Sequence, residues 1–154
     1  GSRASDGFDS ALDDCLHKVQ IKNMNTAITA GVRVDVRTTY LLEQSWPEHG
    51  RYAFAYQVTI TNEGNKTVQL LSRHWVITDA LGETQEVRGA GVVGEQPVLR
   101  PGQSHEYASG AVLRTPWGTM HGEYCMVCED DSEFDADIPC FMLAAPGHIP
   151  NERN

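Results

Sequence analysis

From Val32 onward apolar side chains recur at every second position, and this period constrains the fold more than any other feature. Val32, Val34 and Val36 alternate with Arg33, Asp35 and Arg37, and Phe54, Tyr56, Val58 and Ile60 repeat the pattern between Tyr52 and Thr61. Successive side chains of a strand point to opposite faces, so each run buries one face and wets the other. Thr67 to Ser72, His105 to Ser109, Met120 to Cys128 and Phe134 to Ile138 read as further strands. Trp75 to Thr78 and Thr84 to Val87 flank Asp79-Ala-Leu-Gly82 as a hairpin, and the turn Asn62-Glu-Gly-Asn65 is expected to return the chain into Thr67. About seven or eight short strands separated by Gly, Pro and Asn predict an all-β sandwich. Trp75, set in a dense apolar strand, is expected in its core.

The first 29 residues are of another kind. Gly1-Ser2 reads as a cloning remnant, and Phe8, Leu12, Cys15, Leu16 and Val19 recur at helical spacing. Acids at Asp6, Asp9, Asp13 and Asp14, with Lys18 and Lys22 later, suit a helix dipole, so a short N-terminal helical extension is expected. The expected division is therefore extension and linker over 1–29, sandwich over 30–148, and a tail over 149–154.

A chain of 154 residues can bury one core without disulfides or metals. Its net charge of −9 argues against a nucleic-acid backbone as partner, although Arg73, Arg88, Arg100 and Arg114 are candidates for a local basic patch. No apolar run approaches the roughly 20 residues that span a bilayer, and no signal-peptide core is present. Cys15, Cys125, Cys128 and Cys140 are expected as free thiols in a reducing, intracellular compartment, either cytoplasmic or, with a targeting segment removed, organellar.

Gly89, Gly91 and Gly94 spell Gly-x-Gly-x-x-Gly, the pattern of a dinucleotide-binding turn. That chemistry needs a helix opening on the last glycine, because a helix N-terminus neutralises the pyrophosphate. Pro97 and Pro101 follow too closely for such a helix, so the nucleotide reading is disfavoured.

In its surroundings the same segment takes on a different meaning. Gln69-Leu-Leu-Ser-Arg-His-Trp-Val-Ile-Thr-Asp79 precedes it; Pro101-Gly102, Glu106-Tyr-Ala-Ser-Gly110 and Thr115-Pro-Trp-Gly-Thr-Met-His-Gly122 follow. In this order the motifs resemble the ApaG family, over about Val32 to Pro146. The resemblance implies an immunoglobulin/fibronectin type III-like β-sandwich and attaches no firm reaction to it. ApaG-like domains occur in F-box proteins and in a mitochondrial polymerase-delta-interacting protein as substrate- or partner-binding parts. The resemblance thus implies a non-catalytic protein-interaction module with a protein or peptide partner. The family's link to cobalt and magnesium resistance supports an alternative, a small-ligand domain for a phosphate-bearing compound or divalent cation.

The residues themselves support no catalytic constellation, cofactor or metal site. Cys125 and Cys128 are three apart on a strand and should face opposite ways, and neither opens a helix that would activate a thiol. Glu129-Asp-Asp-Ser-Glu133 lacks the spacing of a calcium loop and reads as a solvated hairpin tip. None of the six histidines forms a metal-ligand pair. What remains is a surface: Arg88, Gly89, Gly91, Val92, Gly94, Glu95 and Gln96, joined by Trp117, which sits between Pro116 and Gly118 and is expected to be exposed as a binding hot spot. Of Val92 and Val93, one is expected to face out.

Overall fold

The structure, a computed structural model, describes residues 24–148. Its nine strands are β1 (Met24–Thr29), β2 (Val32–Tyr40), β3 (Tyr52–Asn62), β4 (Val68–Asp79), β5 (Thr84–Ala90), β6 (Val98–Leu99), β7 (Ser104–Leu113), β8 (Trp117–Cys128) and β9 (Glu133–Ala144). They form two antiparallel sheets, one ordered β1-β2-β3-β7 and the other β5-β4-β8-β9, with β6 continuing the β5 edge along β4. The all-β sandwich is as the alternation predicts. Val32, Val34 and Val36 from one sheet meet Leu70, Trp75, Tyr124 and Phe141 from the other. Trp75 lies at the centre, with ring centroids 5.2 Å from Tyr56 and 5.9 Å from Phe141.

Three local expectations are corrected. The turn at 62–65 does not close a hairpin: β3 and β4 belong to different sheets, so the chain crosses the sandwich there. Asn62 fixes this crossing from within the core, its Nδ2 donating to Lys66 O at 2.7 Å and to Leu99 O at 2.9 Å. The segments 67–72 and 75–78 are one strand, β4, whose register against β8 shifts between Leu70 and Ser72, leaving Leu71 as a bulge. The sandwich also begins upstream of residue 30, because β1 pairs along β2 from Met24. The expected helical extension and the tail over 149–154 lie outside the described residues.

The two sides of the sandwich close differently. On one side β9 packs across onto β1 and β2, where Asp137 N donates to Thr29 Oγ1 at 3.1 Å. On the other, β5 and β7 make no comparable approach. Among the described residues each is an edge strand, β5 paired with β4 and β7 with β3. Among the described residues no helix is long and apolar enough to cross a membrane.

Candidate functional site

The gap between β5 and β7 is a groove into the sandwich interior. Its inner part is a cavity of about 390 Å³ floored by Tyr56, Trp75, Val87 and Met120, with Arg73 at one end. A second hollow of about 290 Å³ continues it past Ile77 and Val112 to Asp79, Glu83 and Arg114. Strand parity explains the lining. On β4, Arg73, Trp75 and Ile77 share the core-facing parity, and on β5, Gln85, Val87 and Gly89 lie beside them. On β7, Ser109 pairs with buried Tyr56 and so points inward, yet both Ser109 and Gln85 are exposed. Inward-facing residues stay wet here because none of the described strands covers them.

The opening has a defined start. Tyr107 of β7 and Tyr124 of β8 join their hydroxyls across the two sheets. Burial pushes both phenols above their ordinary pKa, so they remain neutral donors and acceptors. Beyond this clasp Ser109, Gly110, Ala111 and Val112 line the cavity, until Leu113 is buried again. Among the described residues the main-chain ladder leaves the outer β7 edge unused: reading on from the Asn62 N to Gln103 O bond, odd-numbered residues bond to β3. Glu106, Ala108, Gly110 and Val112 therefore turn their N–H and C=O outward.

Arg73 is the charged group of the inner cavity, and the glycine segment positions it. Its Nη1 donates to Ala90 O at 3.0 Å and Gly91 O at 2.9 Å. Gly89 is opposite Arg73 in the ladder, and a Cβ there would lie 2.8 Å from the guanidinium carbon and both terminal nitrogens. The glycine is thus room for a flat cation. Past Gly91, whose N–H bonds Leu71 O at 2.8 Å, residues 92–95 fold into a two-residue turn with reciprocal Val92–Glu95 bonds. Val93 and Gly94, at φ 47° and 80°, occupy its centre, the pattern of a type I′ turn. Gln96 Nε2 then donates to Leu71 O at 2.9 Å, so the segment is stitched to the β4 bulge. The amides of Gly91, Val92 and Glu95 are occupied by the chain's own carbonyls, and β6 rather than a helix follows. A phosphate cradle needs those donors free.

On the outer face of the same sheet a polar ladder ties β8, β4 and β5 together. His74 Nδ1 lies 2.6 Å from Glu123 Oε2, and Nε2 lies 2.9 Å from Glu86 Oε1, which Arg88 approaches at 3.5 Å. The hydrogen bond to Glu123, then that to Glu86, raises the His74 pKa above its ordinary value. Nearby Cys125 is the opposite of an activated thiol: burial, then Glu133 and Asp135, raises its pKa.

The ApaG domain family model matches residues 42–128, more than half the chain. An ApaG protein of Thiobacillus denitrificans is 60% identical over 115 residues, covering 75% of this chain and 91% of the relative. The chain belongs to the ApaG domain family. An ApaG protein of Pseudomonas paraeruginosa is 59% identical over 125 residues, covering 81% of this chain and 98% of its own. A crystal structure from Bordetella pertussis described as an ApaA protein superposes with a TM-score of 0.74 at 50% identity, covering 75% of this chain and 94% of that one.

This ApaG domain brings only part of the expected surface together. Arg88, Gly94, Glu95 and Gln96 are exposed, but Gly91 is enclosed and Val92 is 1% exposed, part of the core. Val93 takes the outward place at 65% exposure, so Val92 is withdrawn as a contact residue. Arg88 and Gly89 face opposite sides of β5, Arg88 with the outer ladder and Gly89 with Arg73. Trp117 is half-buried at the start of β8, where Gly118 pairs with Asp79. The glycine segment instead bonds at Leu71, and the strand from Leu71 to Asp79 covers roughly 26 Å at about 3.3 Å per residue. Trp117 is therefore at the far end of the sheet from it.

Cys125 faces outward with Ser72 and Asp135, while Cys128 packs on the core, as strand parity requires. Cys140 is disulfide-bonded, so the expectation of four free thiols fails there and gives no argument for a reducing compartment. The acids at 129–133 form the β8–β9 tip: Glu129 accepts from Thr67 N at 2.7 Å and Asp130 pairs with Lys66 at 3.3 Å. The groove residues Tyr56, Gln85, Val87 and Ser109 were not singled out from sequence. One signal was available: Arg73 shares strand parity with Trp75, and a charge at core parity marks a place where the core is open.

Proposed function

We propose that this ApaG domain is a non-catalytic recognition module that takes an extended polypeptide segment into the groove between β5 and β7. The observation that carries this reading is the pair of edge strands left apart over an apolar floor. Among the described residues β7 offers outward N–H and C=O groups at Glu106, Ala108, Gly110 and Val112, and half-buried Val87 with exposed Gln85 and Ser109 lines the opening above buried Trp75 and Tyr56. Edge strands with unpaired main-chain groups are templates for another strand. Addition of an extended segment uses main-chain bonds for affinity and alternate side-chain pockets for specificity. A cavity of about 390 Å³ holds a few side chains rather than a dinucleotide, and the Gly91, Val92 and Glu95 amides are already bonded to the chain's own carbonyls.

The test is selection of binders from displayed random heptapeptides, followed by mapping of backbone amide shifts. Selected peptides should shift Gln85, Val87, Ser109 and Ala111 together. They should lose affinity at least about tenfold when alternate peptide nitrogens are methylated, since each methyl removes a ladder donor. Binders that map to the outer face of β4 and β5, or insensitivity to methylation, would remove the groove from consideration.

A further inference from the structure

Arg73 is half-buried and pairs with no carboxylate among the described residues; its bonds are to two main-chain carbonyls. Both of those bonds come from Nη1. Nε and Nη2 carry the three remaining donors of the five, and together they form the side-on fork that accepts a carboxylate bidentately. The guanidinium plane is held by Gly89 behind it and by the Ala90 and Gly91 carbonyls at one end. A pre-positioned fork at the end of an apolar floor is the arrangement of an anion anchor. The other end of the groove has the opposite character, with Asp79 and Glu83 beside the single Arg114. Asp79 Oδ1 is occupied by Leu81 N and Glu83 N at 2.9 and 3.0 Å, which leaves Oδ2 for another donor.

Resting on the groove reading above, we propose that the segment recognised carries a carboxylate seated on the Nε/Nη2 edge of Arg73, with apolar side chains at the next alternate positions. Arg73, Trp75, Ile77 and Asp79 share one face of β4 at two-residue spacing. A ligand at the same pitch sets its own side chains against them as acid, x, apolar, x, apolar, x, base. The polypeptide is favoured over a small organic acid because the β7 edge, unpaired among the described residues, offers main-chain partners along the groove. Charge complementarity decides the acid: among the described residues Arg73 is the one charged side chain lining the inner cavity.

Two synthetic heptapeptides test this on the full chain, acetyl-Glu-Ser-Val-Ser-Leu-Ser-Lys-amide and its reversed sequence, by anisotropy and amide shifts. The better binder should lose at least about tenfold in affinity when Glu becomes Gln, and about two- to threefold when Lys becomes Gln, following the worth of charged hydrogen bonds and of exposed ion pairs. The Arg73→Gln protein should bind the Glu and Gln peptides equally, and Arg73→Lys should restore part of the preference. The peptide exchange alone keeps the test valid should Arg73→Gln fail to fold. Affinity unchanged within twofold by Glu to Gln, with shifts still on β5 and β7, overturns the anchor and leaves the groove reading standing. Shifts absent from β5 and β7 with every peptide overturn both. 3-Phenylpropionate binding as tightly as the peptide overturns the polypeptide as occupant.

Discussion

At the β9 side of the sandwich the two sheets are drawn together, and at the β5 side they part. Both sides start from equivalent material, an edge strand alternating inward and outward residues. On β9 the inward set is Ala136, Ile138, Phe141 and Leu143, all buried, and the edge lies against β1 and β2. On β5 the inward set is Gln85, Val87 and Gly89, too small or too polar to fill the layer, and β7 answers with Ser109 and Ala111. The sheet-to-sheet distance is therefore sustained by large side chains on one side and by the Tyr107–Tyr124 clasp on the other. The lesson is that the groove comes from under-filling rather than from a dedicated loop.

The largest effect that would break this contrast is a difference in the cost of truncation. Phe141 is fully buried and meets the rings of Trp75 and Tyr56, so Phe141→Ala should cost about 3–5 kcal/mol. Val87 is only half-buried at the groove, and Val87→Ala should cost about 1 kcal/mol or less. Urea unfolding of both variants gives the comparison directly. Equal costs would mean that the β5 side is packed as firmly as the β9 side, and that the groove closes in solution.

The closed side was largely legible from sequence and the open side was not. Val32 to Val36 and Phe54 to Ile60 announce their faces because burial on one side forces alternation. β1 escaped because its pattern is inverted: Asn25 is buried while Ile28 is 59% exposed. The Asn62-Glu-Gly-Asn65 turn has hairpin chemistry, but turn residues specify a reversal and not which sheet receives the next strand. The glycine segment was visible, yet its role was not, since nothing in Gly89 states that Arg73 lies opposite. The groove depends on two distant edges failing to meet, and Gln85 or Ser109 alone reads as an ordinary wet strand residue.

A smaller effect sharpens the comparison through pH. β5 is tied to its sheet on the outer face by a titratable ladder of Glu123, His74 and Glu86. The carboxylates raise the His74 pKa, so the folded state binds its proton more tightly than the unfolded chain does. The stabilisation is complete below the unfolded value near pH 6.5 and is lost as pH rises through the higher folded value. Thermal stability should therefore decline as pH rises above about 6.5, with hydrogen exchange quickening first in β5. His74→Gln should flatten this part of the profile. A decline that persists in that variant assigns it to another group.

The smallest effect on stability separates the two roles a groove residue can have. Gly89→Ala places a methyl 2.8 Å from the Arg73 guanidinium, the far end of a flexible side chain that can swing aside. Ala is tolerated in a strand as well as Gly, so folding stability should change by no more than about 1 kcal/mol. The displaced guanidinium should nevertheless lose its bonds to Ala90 and Gly91 and turn its fork away from the groove. Affinity for an acidic heptapeptide should then fall about as far as in Arg73→Gln, with the shift map otherwise retained. A loss of more than about 2 kcal/mol on unfolding would show that the Arg73 bonds hold the β5 edge itself in place. In that case the glycine serves the fold first, and the contrast between a packed edge and a merely stitched one would have to be drawn at Arg73 rather than at the gap beyond it.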